Sequence, residues 1–267
     1  MPTRYTLNTL DREAAPSTVA PPPAPRRPFL GFVWLELRSW LVVLLPFFLV
    51  TTFFVTVTGV DGSSMMPTLR QGERIVIPKF ETWLHRAGIG SFQRGDIVVF
   101  KPPADSPDAH RSFLGLWTYR PYFIKRVVAV GGDTVRLERG EVFVNGKRVA
   151  QGFITDYWKA QKCWDTASSL ANNAQNSYFE DPINQSYRVP QGSYFVMGDN
   201  RSQGGSEDSR MLGAIPLSDI AGRAAFVWWP FTRLETAGYN CDTREVTRAG
   251  KSVWNPRALE APASWNR

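Results

Sequence analysis

The sequence predicts a mainly β fold, an antiparallel β-sheet domain with a small inserted cap region, preceded by a single transmembrane helix. A long apolar segment without formal charge lies near the N-terminus, at residues 39–60. Short runs of β-branched and aromatic residues follow it and are separated by turns, which is typical of strands. No convincing amphipathic helix interrupts these runs.

The apolar segment is long enough to cross a bilayer. As a helix, residues 39–60 span roughly 33 Å, and a hydrocarbon core is about 30 Å thick. Pro46 is expected to kink this helix rather than to abolish it. The alternatives are a buried helix of a soluble domain and a cleavable signal peptide, whose apolar core of roughly 7–15 residues is shorter. Residues 1–38, rich in proline and alanine from 14 to 28, are predicted to form a disordered tail.

The β domain is predicted in two parts, residues 61–150 and 187–232. Asn145-Gly146 lies between two strand-like runs and indicates a hairpin. Residues 151–186 are polar and aperiodic, which indicates an inserted excursion or cap, and residues 233–267 are predicted to be a basic, partly disordered tail. The expected strands lie at 73–77, 96–100, 123–130, 192–197 and 221–229.

Composition narrows the range of partners. The net charge of +7 fits either nucleic acid or an anionic membrane surface. No zinc-finger spacing, helix-turn-helix pattern or basic amphipathic helix is present, so the predicted partner is the lipid bilayer and not nucleic acid. The two cysteines, Cys163 and Cys241, form no CxxC pair, and neither a metal site nor a cofactor is predicted. The sequence is compatible both with a disulfide between them and with two free thiols.

Ser64 and Lys125 are the candidate catalytic residues. A serine hydroxyl is a weak nucleophile without an adjacent base, and the two histidines, His85 and His110, lie in polar or Gly/Pro-rich connections. A lysine can act as the base when burial lowers its pKa, and strand alternation places Phe123 on the same face as Lys125. Considered separately, Ser64 is more typical of a turn or helix cap and Lys125 of a solvent-facing strand position.

Four sequence blocks follow the apolar segment and together cover about residues 58–229. The blocks are Gly62-Ser63-Ser64-Met65-Met66-Pro67-Thr68-Leu69, Arg94-Gly95-Asp96-Ile97-Val98-Val99-Phe100, Phe123-Ile124-Lys125-Arg126, and Gly198-Asp199-Asn200-Arg201 with Ser206-Glu207-Asp208-Ser209-Arg210. In this order they resemble the bacterial type I signal peptidase (leader peptidase) family. One such block is weak evidence, whereas four in order after a membrane anchor are specific.

The resemblance implies a role for individual residues. Ser64 is then the nucleophile and Lys125 the general base. The backbone N–H of Ser64 holds the oxyanion, and the position of the additional hydroxyl found in some members is occupied here by Gly62. Ser206 matches the serine that orients the lysine, although the connection from Arg201 is two residues longer than usual.

Further residues of the site follow from the same resemblance. Asp208 and Arg210 look like the pair that braces the site. The substrate pocket, which must select small residues, is then lined by Val60, Met65, Leu69, Phe123 and Ile124.

The function implied by the resemblance is removal of N-terminal signal peptides from exported secretory preproteins, after Ala-x-Ala-like motifs. The expected location is the bacterial inner (cytoplasmic) membrane, with a cytoplasmic N-terminus and the catalytic domain on the periplasmic or outer side. Charge counting alone does not settle this topology, and the oligomeric state is open. One alternative is a dedicated maturation protease for a single exported substrate such as a pilin. Another is a membrane-anchored β scaffold without activity.

Overall fold

The computed structural model describes residues 29–104, 106, 109–166 and 186–266. The chain divides into two units, residues 1–46 and 47–267. The first unit contributes only helix to the described residues, and the second contains all of the strands.

The N-terminal helix α1 (Phe29–Leu49) continues as one π-helical turn, Val50–Phe54. Within it, Val33–Phe54 is a 22-residue candidate membrane span with a mean hydropathy of 1.9, and none of its most apolar window is buried. The predicted span was placed too far along the chain. Residues 29–38 are helical rather than part of a tail, and Val55–Gly59 forms a strand. The alternation of valine and threonine explains the strand, because β-branched side chains fit a pleated surface. The remainder of the predicted tail, residues 1–28, lies outside the described residues.

The domain that follows consists of antiparallel sheets, which confirms the predicted fold class. Its strands up to the cap are β1 (Val55–Gly59), β2 (Arg74–Pro78), β3 (Ile97–Phe100), β4 (Arg111–Phe113), β5 (Trp117–Tyr119), β6 (Phe123–Val130), β7 (Thr134–Glu138), β8 (Glu141–Val144) and β9 (Lys147–Arg148). The later strands are β10 (Ser186–Arg188), β11 (Ser193–Met197), β12 (Ile215–Pro216), β13 (Ile220–Arg223), β14 (Phe226–Trp229), β15 (Thr232–Tyr239), β16 (Val246–Trp254) and β17 (Arg257–Ala258).

A five-stranded sheet in the order β12-β11-β6-β3-β13 forms the centre of the domain. All four residues of β3 are buried, and so are five consecutive residues of β6. The strands of a second sheet, β1-β2-β14-β17, precede and follow the central sheet in sequence, and those of a third, β10-β7-β8-β9, lie between β6 and β11. The apolar runs read from the sequence are therefore the buried strands of this fold, since strands covered on both faces lack polar alternation.

The predicted Asn145-Gly146 hairpin is confirmed. It joins β8 to β9, and both turn residues have positive φ, 51° and 78°. Two consecutive positive φ values are required by a type I′ turn, which matches the twist of the flanking strands.

The predicted cap contains the helix α3 (Gly152–Ala160). Trp158 of this helix is buried, and its indole N–H donates to the carbonyl oxygen of Asp199 at 2.6 Å. A disulfide joins Cys163, just after the helix, to Cys241, with their Cα atoms 5.7 Å apart. Residues 167–185 of the cap lie outside the described residues. The part that is described is thus attached to the β domain and not a free excursion.

The prediction of a C-terminal tail at 233–267 was wrong. β15 and β16 form a long hairpin, and β17 pairs with β14. Trp265 is buried in the core cluster around Val135, and its indole N–H donates to the carbonyl oxygen of Ala150 at 2.7 Å. The sequence did not indicate this hairpin, because both faces of its strands are largely exposed and carry polar residues. Without an apolar face, the strands lack the alternating pattern by which a strand is recognised. Two short helices, α2 (Lys79–Arg86) and α4 (Ser209–Leu212), complete the fold.

Candidate active site

Ser64 lies in the connection between β1 and β2. A hydrogen bond from Val60 N–H to Glu73 O at 2.7 Å joins the two ends of this connection, and one from Leu69 N–H to Met65 O at 2.9 Å forms a turn within it. The side chains of Met65 and Leu69 are fully buried. The backbone around Ser64 is therefore held by a turn whose apolar side chains are anchored in the core.

The amine of Lys125 forms a hydrogen bond with the hydroxyl of Ser64. The Nζ atom donates to Ser64 Oγ at 2.9 Å. Lys125 lies in β6 opposite Val98 of β3 and is only 4% exposed. The structure thus brings together the two residues that the sequence singled out as a candidate pair.

Burial lowers the pKa of Lys125 to about 8. The negative charges of Asp208 and Glu207 act in the opposite direction, and the charge of Arg210 lowers the pKa again. Desolvation prevails because it penalises the charged form of an amine that has little contact with water. An amine with this pKa is partly deprotonated near neutral pH, and its deprotonated form can accept a proton.

The segment after β11 fixes the backbone of Ser64 from the other side. Asn200 N–H donates to Ser64 O at 2.9 Å, and the Asn200 side-chain amide donates to Ser63 O at 3.2 Å. A Cβ atom at Gly198 would lie 2.6 Å from Ser64 O and would collide with the Ser206 hydroxyl. Only glycine fits at this point, where two backbone segments and Ser206 meet.

Ser206 borders the same cleft as Ser64 and Lys125. It is buried, and its Oγ atom has no hydrogen-bond partner among the described residues. No direct bond joins it to Lys125. A buried hydroxyl without a partner costs about 1–3 kcal/mol, so its presence at this position requires an explanation other than stability.

Asp208 and Arg210 form a buried pair beside Gly198. Asp208 accepts from Gly198 N–H at 2.8 Å, from Arg210 Nε at 2.8 Å and from a terminal nitrogen of Arg210 at 2.9 Å. Burial opposes ionisation, but the Arg210 charge and these hydrogen bonds hold the pKa of Asp208 below its usual range. The pair connects Gly198, in the segment after β11, to α4.

Sequence reasoning assigned no role to a second buried ion pair, Arg126 with Asp199. Two nitrogens of Arg126 donate to the two carboxylate oxygens at 2.8 and 2.6 Å, and Thr68 Oγ donates to the same carboxylate at 2.5 Å. The pair therefore links β6, the segment after β11 that begins at Gly198, and the connection between β1 and β2 that carries Ser64. Both residues stood in the recognised sequence blocks, but nothing in the pattern indicated that they meet.

A cleft of about 390 Å³ opens beside Ser64 and Lys125. Val60, Met65, Phe123 and Ile124, four of the five residues expected to form a substrate pocket, line it. The fifth, Leu69, is not among the residues that line the cleft, and it packs in the core cluster around Ile75.

Gly62 also lines the cleft and has a φ of 84°, which disfavours any side chain. It offers no hydroxyl to an oxyanion. The backbone N–H of Ser64 forms no hydrogen bond to any other described residue, so this donor is free to bind an oxyanion.

Neither histidine borders the cleft. The ring of His85 packs edge-on against Phe92 at 4.4 Å, and His110 Nε2 lies 2.9 Å from Ala104 O. Within the part of the chain that the structure describes, no group of three His, Cys, Asp or Glu side chains is arranged to hold a metal ion.

The chain matches known proteins across most of its length. Residues 34–229 match the family described as signal peptidase, peptidase S26. A signal peptidase I of Bacillus licheniformis is 31% identical over 204 residues, which are 76% of this chain and 91% of that protein. A probable signal peptidase I-2 of Synechocystis is 31% identical over 231 residues, 86% of each chain. A crystal structure of a signal peptidase I from Enterococcus faecalis covers 51% of this chain and 97% of its own, at 25% identity and a TM-score of 0.34. The chain therefore belongs to the signal peptidase family, peptidase S26.

Proposed function

We propose that this protein is a membrane-anchored serine endopeptidase that removes signal peptides from exported preproteins with a Ser64/Lys125 dyad. The observation that carries the proposal is the 2.9 Å contact between Lys125 Nζ and Ser64 Oγ, made by a lysine that is almost completely buried. The family to which the chain belongs supports the same activity.

In the proposed first step, neutral Lys125 removes the proton from the Ser64 hydroxyl as Oγ attacks the carbonyl carbon of the scissile bond. General-base catalysis is most efficient when the pKa of the base lies near the working pH, and a pKa of about 8 meets this condition. The free Ser64 N–H donates to the developing oxyanion. Lys125 then protonates the leaving amine, which departs as the new N-terminus of the mature protein.

The second step hydrolyses the acyl-enzyme. A water molecule takes the place of the leaving peptide, Lys125 accepts its proton, and the signal peptide leaves with a new carboxylate as Ser64 regains its hydrogen. Gly62 supplies no second side-chain donor, so the Ser64 N–H carries the oxyanion interaction among the protein groups described. Donors of this kind typically contribute about 3–4 kcal/mol to the transition state.

The cleft favours a substrate with small residues near the cut. Val60, Met65, Phe123 and Ile124 present apolar surface close to Ser64. Shallow apolar pockets accept alanine and exclude charged side chains, because burying an unpaired charge is costly. This agrees with cleavage after an Ala-x-Ala motif.

The proposed placement is a single span in the bacterial inner membrane, with the catalytic domain on the outer face. Support comes from the candidate span Val33–Phe54 and from the substrate class, because preproteins are cut after translocation. Lys79 donates to the carbonyl oxygens of Thr51 and Thr52, at 3.4 and 2.8 Å, and so ties the end of the span to the β domain.

The decisive assay uses the detergent-solubilised full chain and a preprotein with an Ala-x-Ala site, with the product mapped by mass spectrometry. We expect one cut after the second alanine, and loss of about 10³-fold or more in rate for Ser64→Ala. A lysine or bulky aromatic residue in place of the last alanine should abolish cleavage. Wild-type-like cleavage by Ser64→Ala would refute the proposal.

Two other functions are compatible with the sequence. A dedicated protease for one substrate such as a pilin would process few members of a panel of unrelated preproteins. An inactive scaffold would fail to label at Ser64 with an acylating probe. The lysine–serine contact and the family membership favour neither.

A further inference from the structure

A second pocket, away from the cleft, is rich in arginine. It has a volume of about 280 Å³, and it lies between the connection that carries Ser64 and the hairpin β15–β16. Arg70, Arg233 and Arg248 line it, and Glu73 is the one carboxylate among its described lining residues. A fourth guanidinium, Arg257, also binds Glu73, at 3.0 Å.

Two of these four guanidinium groups, those of Arg233 and Arg257, contact the buried Glu73 carboxylate, whereas those of Arg70 and Arg248 donate to backbone carbonyl oxygens. Burial and the charges of Arg257 and Arg70 lower the pKa of Arg233, and burial with Arg257 and Arg248 lowers the pKa of Arg70 although Glu73 opposes this. Like charges this close repel one another unless a counter-charge is present. The cluster therefore has an excess of positive charge that the described residues do not neutralise.

Hydrogen-bond donors in the cluster are also left over. Arg233 uses one nitrogen on Glu73 at 3.4 Å, and Arg248 uses one on Gln71 O at 3.1 Å. The Nε atoms of Arg70 and Arg233 are buried without a partner. A guanidinium carries five N–H donors in a planar fork suited to phosphate oxygens, so an anion in the pocket would meet several unused donors.

Exposed aromatic residues lie next to the pocket lining in sequence. Pro230 and Thr232 belong to the pocket lining, and their neighbours Trp229 and Phe231 are exposed. Trp254 is 72% exposed and stacks on Phe231, with 6.1 Å between ring centroids. Tryptophan favours the zone of the lipid head groups, and anionic head groups attract nearby arginines.

We propose that the pocket formed by Arg70, Arg233 and Arg248 binds a phosphate group, presented by an anionic phospholipid head group or as free phosphate. The hydroxyls of Thr232 and Ser252 complete its polar lining. The pocket is separate from the dyad, and this inference does not depend on the peptidase activity. Its test measures binding and leaves the proposed function untouched if it fails.

The experiment uses the full chain in detergent micelles. Its thermal unfolding midpoint is followed against inorganic phosphate, with chloride at equal ionic strength as reference. A parallel series compares mixed micelles containing phosphatidylglycerol with micelles containing phosphatidylcholine. We expect phosphate or phosphatidylglycerol to raise the midpoint in a saturable way, because a ligand of the native state stabilises it.

The variants are Arg248→Gln, whose exposed side chain has one described contact, and the double change Arg233→Gln with Arg248→Gln. Apparent affinity should fall about tenfold or more in each, as for loss of a charge-assisted hydrogen bond. Arg139→Gln with Arg188→Gln, at exposed positions away from the pocket, is the charge-matched control and should bind like wild type.

The two series identify the source of the phosphate group. A response to inorganic phosphate as strong as that to phosphatidylglycerol supports a site for phosphate alone, and a response to phosphatidylglycerol only supports a lipid head group. Equal responses in wild type and Arg248→Gln would overturn the proposal. So would phosphate no better than chloride together with phosphatidylglycerol no better than phosphatidylcholine.

Discussion

Lys125 donates to Ser64 Oγ from a strand in the centre of the five-stranded sheet, where its own side chain is almost without solvent contact. This buried position explains both the basicity of the Lys125 amine and its cost in folding stability. Desolvation makes the amine a base near neutral pH, and the same desolvation destabilises the folded protein whenever that amine is charged. In the proposed Ser64/Lys125 dyad, stability is thus given up for reactivity.

Replacing Lys125 with methionine should stabilise the protein at neutral pH while abolishing activity. The fall in pKa from 10.5 to about 8 corresponds to about 3 kcal/mol in the free energy of unfolding at pH 7. Chemical denaturation of Lys125→Met, with the exposed Lys147→Met as control, measures this difference.

The pH dependence of stability provides a second readout for the same variant. Between pH 8 and 10.5 the unfolded chain retains the Lys125 proton that the folded chain has lost, so the stability of the wild type rises with pH in that window. Lys125→Met should lack this part of the rise. If it is no more stable than wild type at pH 7 and shows the same rise, then the pKa of Lys125 is not lowered in the folded protein.

Gly198→Ala should impair catalysis through Ser64. The added methyl group would approach Ser64 O to 2.6 Å and collide with Ser206. We expect kcat/KM to fall about 100-fold, because small displacements of a nucleophile have effects of this size. Gly152→Ala, where the new Cβ meets its nearest neighbour at 3.8 Å, is the matched control. An unimpaired Gly198→Ala enzyme would show that this close approach does not position Ser64.

Ser206→Ala distinguishes a positioning role from a structural one. Removal of an unpartnered buried hydroxyl should leave the unfolding midpoint unchanged or raise it. If Ser206 orients Lys125 during the reaction, kcat should fall about tenfold or more, and Ser206→Thr should recover part of the loss. A fall in stability without a change in kcat would assign Ser206 to the fold alone.

The disulfide between Cys163 and Cys241 should be a major contributor to stability. It closes a loop with a sequence separation of 78, for which chain entropy predicts about 4 kcal/mol. Cys163→Ser with Cys241→Ser should lose about that amount in denaturant unfolding, measured without reductant. Equal stability of the double variant and wild type would mean that the link does not constrain the unfolded chain.

The sequence was most informative where local pattern and burial agree. The apolar strands β3 and β6 and the Asn145-Gly146 turn follow from periodicity and turn chemistry, and Lys125 drew attention because a charge rarely stands in such a run. The strand Val55–Gly59 was missed because its valines continue the apolar texture of the helix before it. The hairpin β15–β16 was missed because exposed strands lack an apolar face.

Long-range pairings lay beyond sequence reasoning. The ion pair of Arg126 with Asp199 joins β6 to the segment after β11, 73 residues apart in sequence. The arginines around Glu73 come from the connection that carries Ser64 and from β15, β16 and β17. Nothing local marks such partners, because their contact is created by the sheet topology. Leu69 is a different case, since the family resemblance implied a pocket position and its side chain lies in the core cluster around Ile75.

The most direct test of the central claim is the pH dependence of kcat/KM for cleavage of an Ala-x-Ala preprotein. With Lys125 as general base, the rate should rise about tenfold per pH unit at low pH and level off above a pKa of about 8. A profile that is flat from pH 6 to 10, or one that levels off near pH 6.5 as for a histidine base, would contradict the Ser64/Lys125 dyad.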